Sequence, residues 1–126
     1  MKIEEQVLSI EQVQELQELG FDVKKHSSMY YLPYYNSSSY KIDGYILDTI
    51  EKNDSFNSIP TMSIGDIIGV LPTKIEESYF LSVNSEYCAY SMVGYFDTIY
   101  FTREKELINN LFNTLVWCIK NKQIDL

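Results

Sequence analysis

Three short β-rich runs, "YFLSV" (79–83), "YCAYSMV" (87–93) and "TIYFT" (98–102), are separated only by turn-length gaps at Asn84 to Glu86 and Gly94 to Asp97. Gaps this short cannot carry a crossover connection, so the three runs predict an antiparallel meander. The chain that follows must then cover one face of that sheet. From about Arg103 to about Asn121, Leu107, Ile108, Leu111, Phe112, Leu115, Cys118 and Ile119 recur at helical spacing and form one broad apolar stripe. Trp117 falls outside it, among Glu106, Asn110, Asn113 and Asn121, on the side that periodicity assigns to solvent. Its ring therefore needs cover from the first helix, a second copy of the chain, or a partner.

The first half of the chain carries its own punctuation. Ser9 with Gln12 makes a capping box, Leu8 and Val13 occupy the staple positions, and Gly20-Phe21 fits a Schellman ending in which Phe21 folds back on Leu16. A helix over about 10–19 follows, with Val13, Leu16 and Leu19 on its narrow apolar side. A second start signal, Ser63 with Asp66 and the staple pair Met62 and Ile67, predicts a short helix that Pro72 ends near Leu71. Between the two, strands are expected at roughly 29–35, 39–42 and 45–50, with Asp43-Gly44 as a two-residue type I′ hairpin, or else 36–44 forms one irregular loop. The sum is one α+β domain over residues 1–126. Its helices pack on an antiparallel sheet of about five strands, in the order α-β-β-α-β-β-β-α, with room for one further strand in the first group.

Net charge bounds the partners. The chain carries −8, with 18 acidic residues against 10 basic ones, of which only Arg103 is an arginine. Phosphate backbones are held by clustered Lys and Arg, so direct nucleic-acid binding is not expected. No apolar run is long enough to span a bilayer and "MKIEEQVLSI" is not a signal peptide, which makes a cytoplasmic protein the expectation. Cys88 and Cys118 have no metal-ligand spacing and are expected as free, buried thiols.

No cofactor is expected, because the chain has neither a phosphate-binding glycine loop nor an EF-hand spacing, and Asp43, Asp48, Asp54 and Asp66 sit at turns and caps. The one nucleophilic pairing available to an enzyme is His26 with Cys88, and Cys88 lies inside a strand with nothing to lower its pKa. Three features suit protein contact instead. The run "MYYLPYYNSSSY" places Tyr30, Tyr31, Tyr34, Tyr35 and Tyr40 among Asn36 and three serines, rigid rings with small polar neighbours. Pro33 cannot donate to a ladder, which predicts a sheet edge or a bulge there. Glu11, Glu15 and Glu18 line one side of the first helix and could meet a basic groove. Trp117 is the third. A partner-binding protein, a homodimer closed over Trp117, and a small enzyme are the three readings these residues allow.

The stretches "SIEQVQELQELGFD", "TMSIGDIIGVLPTKI" and "ELINNLFNTLVWCIKN", with Tyr-rich strands between them, resemble a group of small acidic proteins of phages and mobile elements. The resemblance implies a genomic setting in which such proteins often inhibit host defence enzymes by contact, anti-CRISPR proteins among them.

Overall fold

Local signals set the helix ends. In the computed structural model, which describes residues 2–33, 41–42, 45–48, 58–92 and 97–126, helix α1 spans Ile10–Glu18 after a 3₁₀ turn at Ile3–Glu5. Ser9 Oγ accepts the Gln12 amide at 3.2 Å and Gln12 Oε1 accepts the Ser9 amide at 3.0 Å, so both halves of the capping box form. Gly20 takes φ +89°, and the Phe21 amide donates to Leu16 O at 3.0 Å, closing the Schellman turn. A single turn, α2 (Val23–His26), follows under an Asp22 cap. Helix α3 (Ile64–Val70) repeats the logic: Ser63 and Asp66 exchange side-chain to amide hydrogen bonds of 3.1 and 2.9 Å, and the helix stops at Leu71 before Pro72.

The strands form two four-stranded antiparallel sheets, not one sheet of about five. The first joins β1 (Met29–Pro33), β2 (Lys41–Ile42), β3 (Tyr45–Asp48) and β4 (Ile59–Thr61) in the order β2-β3-β1-β4. The second joins β5 (Lys74–Ile75), β6 (Tyr79–Val83), β7 (Cys88–Met92) and β8 (Thr98–Thr102) in chain order, the expected meander with one short strand added. Ile42 pairs with Tyr45, which leaves a two-residue connection, although Asp43-Gly44 itself lies outside the described residues.

Pro33 does not mark an edge. Strand β1 is interior, flanked by β3 and β4, and Pro33 is its last residue, two positions beyond Tyr31, where the ladder with β4 ends at Ile59. The proline that does sit on an edge strand is Pro60, in β4.

Helix α4 (Leu107–Lys120) begins at the first residue of its apolar stripe, four residues later than the expected start near Arg103. Residues 103–106 are a connection instead, held by the fully buried Asn110, whose Oδ1 accepts the Glu104 amide at 2.6 Å. From Leu107 to Ile119 no residue of α4 is exposed. The helix lies on β7 and β8, touches α3 as well, and is tied to α1 by a 2.8 Å hydrogen bond from Gln12 Nε2 to Asn109 Oδ1. The main core gathers Leu8, Val13 and Leu16 with Met62, Ile67, Tyr90, Leu111 and Leu115; a smaller one joins Val7, Tyr31 and Leu47 under the first sheet. Among the described residues no helix is long and apolar enough to cross a membrane.

One turn is strained. Glu76 and Glu77 both take left-handed φ, 48° and 63°, and the Ser78 amide donates to Ile75 O at 3.2 Å to close the turn between β5 and β6. Side chains other than Gly and Asn pay for that conformation. The double change Glu76→Asn with Glu77→Gly is therefore expected to raise the unfolding free energy by about 1 kcal/mol. Denaturant melts of the two proteins check this, and an unchanged midpoint would mean that the turn stores no strain.

Candidate functional site

The residues singled out for contact fall in different environments. Tyr30 and Tyr31 are core residues, 8% and 2% exposed, and Tyr31 Oη donates to Leu8 O at 2.7 Å. Rings on both sides of β1 are thus interior, and neither offers a contact surface. Tyr34, Tyr35 and Tyr40 lie outside the described residues. Trp117 does not point away from the sheet. Its ring lies 4.8 Å from that of Tyr100 and 5.9 Å from that of Tyr90, half-buried against β8 and β7. The cover comes from the second sheet, and neither the first helix nor a second chain is needed to supply it. Glu11, Glu15 and Glu18 are all exposed, on the side of α1 away from Val13 and Leu16, and make no ion pair among the described residues.

The structure does not bring His26 and Cys88 together. His26 stacks on Phe21 at 5.2 Å and lines a small cleft with Asp22, Lys25, Asp125 and Leu126. Cys88 is fully buried on β7, and Cys118 is fully buried on α4. The Cys118 thiol donates to Tyr90 Oη at 3.6 Å, which donates to Pro72 O at 2.8 Å. Burial pushes both thiols and the phenols of Tyr90 and Tyr100 above their ordinary values.

These shifts set the direction of pH dependence. A raised folded-state pKa contributes stability that is complete below the unfolded value and is lost as pH rises past it. Unfolding should therefore become easier above about pH 9, where thiols of ordinary pKa 9.0 and then phenols of 10.0 ionise first in the unfolded chain. Melting temperatures measured from pH 7 upward check this, and a flat alkaline limb would contradict it. Both thiols should also resist a thiol reagent until the protein is unfolded.

The exposed rings among the described residues gather on the outer side of the second sheet. Strand β6 alternates strictly: Tyr79, Leu81 and Val83 turn toward the core, while Phe80 and Ser82 turn out. Cross-strand register carries this outward row along the sheet, Phe80 opposite Ser91 and Ser82 opposite Ala89, with Ala89 opposite Phe101. Helix α4 covers the inner side only. On the outer side Phe80 is 43% and Phe101 55% exposed. Tyr87 leans on Phe101 with ring centres 5.3 Å apart, and Ser91 and Thr98 share a 3.0 Å hydroxyl contact. A register shift between Tyr90 and Ser91 sets Ile99, also exposed, out of the regular pairing. At the rim Lys74 Nζ stands 6.0 Å from the Phe80 ring centre, and Arg103 pairs loosely with Glu86 at 3.5 Å. Rigid rings between small hydroxyls suit adaptable protein contact.

This face escaped the sequence reading because aromatic residues occupy both parities of these strands. Tyr79, Tyr90 and Tyr100 point in while Phe80, Tyr87 and Phe101 point out, so no apolar and polar faces separate by composition. The available signal was the stripe of the last helix, which can cover only one side of a sheet, together with the parity of Phe80 and Ser82. Comparison with known proteins finds no matching family model, no similar curated protein and no similar solved structure.

Proposed function

We propose that the protein is a non-enzymatic binding module that docks a partner protein on the outer face of its second sheet. In keeping with the resemblance of its helical segments to small acidic proteins of phages and mobile elements, the partner is a host defence enzyme, inhibited by contact. The observation that carries the reading is the exposure of Phe80 and Phe101 on the sheet face opposite the one on which α4 packs against β7 and β8. Aromatic side chains of this kind dominate binding energy when a partner buries them. The chemistry of the partner follows from charge. A chain of net charge −8 steers toward a basic surface, and the uncharged ring-bearing patch then fits an apolar centre within it. The acidic row on α1 adds to that attraction at long range.

The experiment is capture from host lysate with mass spectrometry, run in parallel on the wild type and on the double variant Phe80→Ser/Phe101→Ser. Both rings are outward-facing, so the variant should melt within a few degrees of the wild type. Loss of the captured enzyme by at least about tenfold is expected, since two aromatic contacts worth more than 1 kcal/mol each would be removed. Equal capture by the two proteins would refute the assignment of this face.

A further inference from the structure

The charge of the chain reverses on the outer face of the second sheet. Cross-strand register lays out rungs of outward side chains: Lys74 opposite Phe80, Phe80 opposite Ser91 and Ser91 opposite Thr98 on the first, then Ser82 opposite Ala89 and Ala89 opposite Phe101 on the second. Cys88 pairs with Thr102, so a third rung sets Tyr87 across from Arg103. Of the 18 acidic residues in the chain none lies on these rungs, and the two charges that do, Lys74 and Arg103 at opposite corners, are both positive.

The two cations are held differently. Lys74 Nζ stands 6.0 Å from the centre of the Phe80 ring. Arg103, the single arginine of the chain, meets Glu86 of the β6 to β7 turn through one nitrogen, Nη2 to Oε2 at 3.5 Å, with the two side chains 67% and 70% exposed. A guanidinium can grip a carboxylate through two parallel N–H groups, and one long contact in water leaves most of that capacity unused.

We propose that Arg103 selects the partner at this face by leaving Glu86 and taking a carboxylate of the partner protein, an Asp or Glu flanked by apolar side chains that settle on Phe80 and Phe101. This contact, which rests on the docking reading above, gives that reading its local chemistry. Charge acts at two ranges. The net charge of −8 draws a basic surface from a distance, whereas the cations at the corners of the ring-bearing patch favour an acidic side chain at contact range and reject a basic one. Glu86 holds the place of that carboxylate in the free protein.

Two synthetic peptides serve as probes, acetyl-Trp-Glu-Trp-amide and acetyl-Trp-Gln-Trp-amide, which differ only in a carboxylate and its neutral isostere. Binding is read by NMR from the amide shifts of the residues on the three rungs, at physiological ionic strength, where the bulk charge of the protein is largely screened. The wild type should bind the Glu peptide about threefold more tightly than the Gln peptide, the size of one exposed ion pair. Arg103→Gln should bring the two peptides level, and Glu86→Gln, which frees the guanidinium, should widen the preference. Both residues are exposed, so the remaining amide spectrum should stay that of the folded wild type. Absence of shifts with either peptide, equal binding of the two by the wild type, a preference that survives Arg103→Gln, or one that Glu86→Gln leaves unwidened would overturn the proposal. The docking reading fails on a different result, equal capture by the wild type and by Phe80→Ser/Phe101→Ser, so the two failures are told apart.

Discussion

Trp117→Ala is expected to lower the unfolding free energy by about 3 kcal/mol. The ring packs on Tyr100 at 4.8 Å and Tyr90 at 5.9 Å, and Tyr90 is itself fully buried. Removing it opens a gap between α4 and the two strands that cannot close, because the helix is fixed on its other sides by α3 and by the Gln12 to Asn109 hydrogen bond. The aromatic contacts add to the loss beyond the area buried. Urea denaturation of the variant reads the change directly. A midpoint unchanged from wild type would mean that Trp117 is a surface residue after all.

Asn110→Ala is expected to cost about 2–3 kcal/mol for a different reason. Asn110 is a buried polar residue on the helix side that periodicity assigns to solvent, and it works as a clasp. Its Oδ1 accepts the Glu104 amide at 2.6 Å, its Nδ2 reaches Glu104 O and Glu86 O, each at 3.4 Å, and its own carbonyl accepts the Thr114 hydroxyl at 2.8 Å. One side chain thus ties the β8 to α4 connection and the β6 to β7 turn to the helix. Alanine leaves those backbone groups without their partner. Hydrogen exchange should accelerate at Glu104 and around residues 84–87 more than in β1, and uniform acceleration across the protein would argue against a local clasp.

What could be read in the sequence was whatever is decided within a few residues. The capping boxes at Ser9 and Ser63, the Schellman turn at Gly20 and the strands 79–83 and 98–102 all depend on neighbours in the chain, and all are present as expected. The α+β class followed from them. The division into two sheets did not, because it turns on β4 and β5, strands of three and two residues that exist only through their pairing with β1 and β6. The tyrosine doublet misled for a related reason. Alternation correctly puts Tyr30 and Tyr31 on opposite sides of β1, but burial on both sides is a property of the assembled sheet. Trp117 and Asn110 were assigned to solvent by a projection that supposes one flat contact for the helix, whereas α4 is enclosed along its length up to Ile119.

The most direct test of the central proposal, that the outer face of the second sheet is where a partner binds, is hydroxyl-radical footprinting of the protein alone and in complex with the partner recovered from host lysate. Oxidation of Phe80, Tyr87 and Phe101 should fall several-fold in the complex, while Trp117, already packed on Tyr90 and Tyr100, keeps the rate it has in the free protein. Unchanged oxidation at Phe80 and Phe101, with protection appearing at Trp117 or elsewhere, would contradict the account.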